Sequence, residues 1–301
     1  MIKAYALQSE LLSSGPVCRY LYEKFGYSRG RVIARYPEEW VEMVKASLGD
    51  CQTMERHTII ERLVMIQRSA LLPRDHDWDK GKMWLDNAIE EHTKRPFDAI
   101  ISQNNPNNVA AVIREADLDE EKEPRWRAET QRRIERTARE MAACAALLLR
   151  YAKEILFIDP HFNPQARRFQ QPLKAFLQEV AKRPASNPVN RIEIHTGHAK
   201  TGTKDFFHAE CVKHLPSIIP RGMKIRLVRW DQTHLHNRFI LTDSGGLKFS
   251  HGLDDHNGRP PKHDIVDLLE QEPYKATWKE YQRGSSNFPL IEDDLIVKGT
   301  A

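Results

Sequence analysis

A chain of 301 residues and 35.0 kDa, 40% hydrophobic and 29% charged, is large enough for one big domain or two ordinary ones and too apolar to be disordered. Its longest uncharged apolar run, Met141 to Leu149, falls far short of the roughly 20 residues a membrane-spanning helix needs, so no membrane span is expected. The formal net charge of +4 is unevenly spread: residues 161–240 hold 14 Lys and Arg against 5 Asp and Glu, whereas residues 1–100 hold 15 of each. A basic segment on an otherwise neutral chain points to a phosphate-bearing partner, although solvated Lys/Arg-rich faces are also common. The N-terminus lacks a basic region followed by an apolar one, and the four cysteines form no CxxC pair. Both observations lead to an expected cytoplasmic location with reduced thiols.

In chain order, the first hundred residues are expected to be mainly helical. Trp40, Val41, Val44 and Leu48 make one apolar face after Tyr36-Pro37, and Ile59, Leu63 and Ile66 make another over 53–72, closed by Pro73. A third helix is expected over 82–92, followed by a short apolar run at Phe97 to Ile101 and an Asn-rich turn. Residues 124–153 read as one long helix, charged at first and then apolar on every side. The arginines of its first part, interleaved with Glu, suit an ion-paired helix face. The acidic stretch before Pro124 marks a boundary, giving a helical N-terminal domain over 1–118 and a second domain over 119–301.

The second domain changes period. Ile155 to Ile158 reads as a buried strand, Phe169 to Val180 as a helix and Arg191 to His195 as a strand. Phe206 to Ile219 reads as a helix, residues 224–230 as a strand, and Phe239–Leu241 and Leu247–Phe249 as strands around Ser244-Gly245-Gly246. That order predicts an α/β fold, a mixed sheet flanked by helices with polar residues gathered at strand ends.

The segment from His234 to Asp243 carries the chemistry. His236 and Arg238 are two apart on a strand and face one side, and Asp243 closes the strand. Imidazole beside guanidinium suits a phosphodiester: the histidine attacks phosphorus while the cation holds the non-bridging oxygens. Ten of the 13 histidines lie between His161 and His263, including His195-x-x-His198, a spacing also compatible with zinc. With no Cys beside them and no HExxH, no metal or other cofactor is expected. The loop from Gly197 to Lys204 has Gly-Thr-Lys where a nucleotide-binding loop has Gly-Lys-Thr, so it reads as a basic loop whose Lys200 contacts phosphate.

His236-x-Arg238 with Asp243, as HxRxxxxD, resembles the HxKxxxxD motif of the phospholipase D superfamily, and the element order over residues 125–265 is similar to its single-motif, nuclease-like members. The Gly245-Gly246 turn, Lys248 and Gly252-Leu253-Asp254 are closest to the phospholipase D-like domain found C-terminal to MIT domains and its bacterial relatives. The resemblance implies a metal-independent phosphodiesterase, above all a nuclease, with His236, Arg238 and Asp243 catalytic. Ser250, His251, Asp254, Lys200 and Lys248 would bind substrate. It also implies a homodimer, because one motif is half of such a site and a second His236 would come from the partner copy.

The sequence departs from the family at two places: Arg238 stands for the usual Lys, and Ser250-His251-Gly252-Leu253-Asp254 for the usual Gly-Ser-x-Asn. Those departures define the alternative reading, a degenerate module that binds nucleic acid or another phosphate ligand within a larger, defence-related assembly. Anionic lipid headgroups are a minor third option. In either main reading residues 1–118 are where a protein partner would engage.

Overall fold

Short apolar runs that no sequence period distinguishes from helix become a parallel sheet in the first part of the chain. The computed structural model describes every residue except 14, 50–52, 199–201, 232–234, 283 and 285–288. The chain divides into two units, Ile2–Glu129 and Thr130–Ala301, the latter joined by Met1. No helix among the described residues is long and apolar enough to cross a membrane.

In the first unit, strands β1 (Lys3–Leu7), β2 (Arg31–Ala34), β3 (Leu71–Leu72), β4 (Ala99–Ser102) and β5 (Val112–Arg114) form a parallel sheet of order β3-β2-β1-β4-β5. Helices α1 (Gly15–Lys24), α2 (Trp40–Ser47), α3 (Thr53–Ser69) and α4 (Trp84–Lys94) pack against it and supply much of the rest of its core. Alternate strand residues serve opposite faces. Tyr5, Leu7, Ile33 and Ile101 pack with Leu21, Val44 and Leu63, while Ala6, Ala34, Ile100 and Val112 pack with Trp84 and Ala88. The helices expected over 40–48, 53–72 and 82–92 are present. Helix exceeds strand in this unit without making up most of it, and the sheet that organises it was not foreseen.

The boundary lies beyond the expected 118/119 because Trp126 belongs to the first core. Its ring is fully buried against Tyr5 and Phe25, at 5.3 and 5.6 Å between centroids. Lys3 Nζ donates to the carbonyls of Pro124, Arg125 and Arg127, tying the segment to β1.

The second unit carries eight strands in the order β13-β9-β8-β7-β10-β11-β12-β6. These are β6 (Gln131–Glu135), β7 (Glu154–Ile158), β8 (Arg191–Gly197), β9 (Lys224–Trp230), β10 (Phe239–Thr242), β11 (Gly246–Phe249), β12 (His263–Leu268) and β13 (Leu290–Lys298). Strands β7, β8 and β9 run parallel, and every other neighbouring pair is antiparallel. The parallel strands are joined through α6 (Arg167–Ala181) and α7 (Lys204–His214), with α5 (Ala138–Tyr151) before β7 and α8 (Gln271–Glu280) before β13.

The long helix expected over 124–153 is therefore two elements. Gln131–Glu135 is an edge strand with only Ile134 buried, and α5 begins at Ala138 with Thr137 as its cap, the Thr137 hydroxyl accepting from Glu140 N. Nor is α5 buried all round, since Ala143 is exposed. Small alanines let a sequence look apolar on every side while burying one.

Candidate functional site

The register of the central hairpin decides which predicted residues meet. Phe239 pairs with Ile158 on one side and Lys248 on the other, and Phe249 N–H donates to Arg238 O at 3.0 Å. Arg238 thus stands opposite Asp159, on the face that also carries Phe157 and Ile240. Phe157 stacks on Phe176 of α6 at 5.4 Å, so α6 covers that face, and its first residues Arg167 and Arg168 lie at the rim.

A cavity of about 350 Å³ opens there, lined by Arg136, Asp159, His161, Arg168, His251 and Asp254 among others. A second cavity, of about 440 Å³, adjoins it through Arg136 and Arg168 and adds Arg167, His256 and Arg259. Arg136 is buried and holds the loop that forms the wall. Its Nε donates to Asp254 O, its Nη1 to Pro261 O, and its Nη2 meets the Asp254 carboxylate at 3.2 Å. Arg136 is thus ion-paired as expected of these arginines, but it follows a strand and is buried rather than lying on a helix face, while Arg127, Arg133 and Arg139 are exposed. Arg168 Nε reaches the same carboxylate at 3.5 Å, its guanidinium lying over Phe169. Gly252 lets this wall approach: a Cβ there would stand 2.7 Å from Asp254 Oδ1 and 3.2 Å from Asp159 Oδ2.

Asp159 is one of the buried carboxyls of the site. Its Oδ1 accepts from His161 N at 2.8 Å and its Oδ2 from Leu253 N at 2.8 Å. Burial pushes its pKa from 3.8 up to about 6; the two N–H donors oppose that, Asp254 adds to it and Arg238 opposes it. The folded chain therefore keeps this proton to a higher pH than the unfolded chain does. The stability involved is complete below about pH 4 and is lost as pH rises towards 6, in all about 3 kcal/mol. Urea midpoints between pH 4 and 7 should give a less positive slope for wild type than for Asp159→Asn; parallel slopes would contradict the assignment.

His251 and Asp264 form a pair that the sequence did not disclose. Nδ1 of His251 lies 3.1 Å from Oδ1 of Asp264, a fully buried carboxylate that also accepts from the backbone N–H groups of Ser250, His251 and Ile265. It takes the register of β11 on β12 to bring Asp264 beside His251, so spacing along the chain gives no signal for it.

The remaining expected site residues fall differently. His236 is exposed, just before β10, and its carbonyl accepts from Arg238 Nη1 at 2.9 Å. Asp243 is at the other end of β10, where its Oδ1 accepts from the N–H groups of Lys153 and Glu154 and so fastens the start of β7. It does not orient a histidine of the pocket. Lys248 pairs with Phe239 and points to the opposite face of the sheet, on which Leu156, Ile158 and Phe239 cluster. The Ser250 hydroxyl donates to Ile265 O. Lys200 and His234 lie outside the described residues.

His195 is buried with Nδ1 accepting from Trp230 Nε1 at 2.8 Å and Nε2 at 3.0 Å from Glu193, so its pairing with His198 as a metal ligand set has no support. Among the described residues no group of three or more His, Cys, Asp or Glu is placed to hold a metal ion.

No protein-family model matches this chain, and no curated protein matches it. Among solved structures it is similar to TrmBL2, described as an archaeal chromatin protein with a novel mode of DNA binding. The identity is 15%, 50% of each chain is covered, and the TM-score is 0.26, too low to establish a common fold. The chain thus spans about half the length of that protein.

Proposed function

We propose that the second unit is a metal-independent phosphodiesterase of the phospholipase D type, acting on nucleic acid in the cytoplasm with His236 as nucleophile. One observation carries this reading. Arg136, Arg168, His161 and His251 line one cavity, Arg238 acts electrostatically on the Asp159 carboxyl there, and His236 precedes Arg238 by two residues at the same end of β10. Guanidinium groups at a partly enclosed cavity favour an anion with several oxygens, and phosphate fits that geometry. Arg238, opposite Asp159, would hold a non-bridging oxygen while the His236 imidazole attacks phosphorus in line with the leaving oxygen. The resemblance supplies the second histidine of such a mechanism from a homodimer partner, and residues 1–118 would serve a protein partner.

A second reading has its own support. The Asp254 carboxylate already engages both Arg136 and Arg168, and Arg238 Nη1 is bonded to a carbonyl. A site whose cations are committed in this way suits a phosphate-binding scaffold that does not turn substrate over. Cleavage of labelled single- and double-stranded DNA and RNA in EDTA separates the two. The nuclease reading expects EDTA-resistant cleavage, reduced about 10³-fold or more in His236→Ala, with binding retained. Retained binding without any wild-type cleavage would favour the scaffold, and cleavage abolished by EDTA would overturn the mechanism.

A further inference from the structure

We infer that His251, oriented by Asp264, is the proton donor to the leaving oxygen at this site, in place of the second histidine that the resemblance takes from a homodimer partner, so that a single chain supplies both histidines. The inference deepens the phosphodiesterase reading and rests on it. Three observations support it. The first is the buried carboxylate: Asp264 accepts from three backbone N–H groups, stays in place without His251, and fixes the imidazole through Nδ1 at 3.1 Å. A carboxylate accepts only, so Nδ1 carries hydrogen and Nε2 is the working atom. The second is direction: His251 lines the same cavity as Asp159 and Arg168, and among the described residues nothing is hydrogen-bonded to its Nε2. The third is register. Phe239 pairs with Lys248 and Phe249 N–H donates to Arg238 O, and beyond that last bond His236 lies two residues before Arg238 and His251 two residues after Phe249, at the same open end of the hairpin.

The chemistry closes with these two residues and water. A lone pair on His236 attacks phosphorus and the bond from phosphorus to the leaving oxygen breaks. That oxygen takes the broken bond's electron pair and the Nε2 proton of doubly protonated His251. Water then attacks the phosphoryl-histidine and gives its proton to the now neutral His251. The P–N bond breaks, its electron pair returns to His236, and the phosphate product leaves. Asp264 holds the ring in this orientation through Nδ1 in both steps.

Leaving-group dependence tests this on the full chain. A nucleotide diester expels a strongly basic alkoxide that needs a proton, whereas bis(4-nitrophenyl) phosphate expels a phenolate that does not. With His251→Ala, and with His251→Gln as a second variant able to keep the Asp264 hydrogen bond, single-turnover cleavage of the nucleotide diester should fall about 100-fold or more. The same variants should keep a burst of about one nitrophenolate per chain, within about 10-fold of the wild-type rate. Their steady state should then be slow, because the second step still needs a base. Asp264→Asn should show the same pattern more weakly. Equal losses on both substrates in His251→Gln, or an unchanged His251→Ala, would overturn the role of His251 while leaving that of His236 intact. Wild type with no turnover of either substrate would instead remove the phosphodiesterase reading, and this inference with it.

Discussion

Trp126→Ala is expected to destabilise the first unit by about 3–5 kcal/mol, the range for removing a large aromatic from a packed core. The ring is fully buried and meets Tyr5 and Phe25 edge-on. The Arg31 guanidinium lies 4.4 Å from its centroid, and Nε1 donates to Tyr20 Oη at 2.9 Å. Truncation removes all of these together and leaves Arg31, itself buried, without the ring above it. Trp126→Phe should retain most of the packing and lose about 1–2 kcal/mol from the missing hydrogen bond. Chemical denaturation followed by tryptophan-independent circular dichroism measures both variants. A fragment of residues 2–129 should fold, and one of residues 2–118 should not, because the latter lacks the segment that Lys3 and Tyr5 bind. A loss below about 1 kcal/mol in Trp126→Ala would show that the segment is not part of this core.

Arg136→Ala should damage the second unit about as severely. The guanidinium satisfies two carbonyl oxygens and the Asp254 carboxylate inside the protein. Its removal leaves that buried carboxylate facing Arg168 at 3.5 Å and strands the carbonyls of Asp254 and Pro261. Breaking one half of a buried ion pair costs about 3–5 kcal/mol. Arg136→Lys keeps the charge but cannot reach three acceptors with one planar fork, so it should recover only part of the loss. Urea unfolding gives the stability, and a phosphate or oligonucleotide titration gives the affinity, which should fall with it. Wild-type stability in Arg136→Ala would contradict the role given to the Arg136–Asp254 contact.

Much of the second unit was legible because its central elements obey simple periods. The strands at 154–158, 191–197 and 224–230, the helix at 167–181 and the 239–249 hairpin all lie where apolar runs and a Gly-containing turn place them. The sheet of the first unit was not legible. Its strands are two to five residues long and buried on both faces, so they carry no alternation to set against the helical periods around them. β6 was misread for the opposite reason. An edge strand paired on one side only can carry Gln131, Arg132, Arg133 and Glu135, and such a string looks like a charged helix face.

At the site, the sequence singled out His251 and Asp254, which line the cavity, and Arg238, which acts on the Asp159 carboxyl of its wall, with His236 two residues before it. It passed over Arg136, Arg168, Asp159 and Asp264, whose positions depend on a helix start, a strand end or a cross-strand neighbour. Asp243 and Lys248 show the converse. Both match a motif by spacing, yet one fastens a strand end and the other points to the far face.

The most direct measurement is to trap the reaction on the histidine. Wild type mixed with a labelled phosphodiester in EDTA, stopped in alkaline denaturant and mapped by peptide mass spectrometry, should carry the phosphoryl group on His236. His236→Ala should carry none. Product formed with no label on His236, or with the label on another residue, would contradict the histidine-nucleophile mechanism.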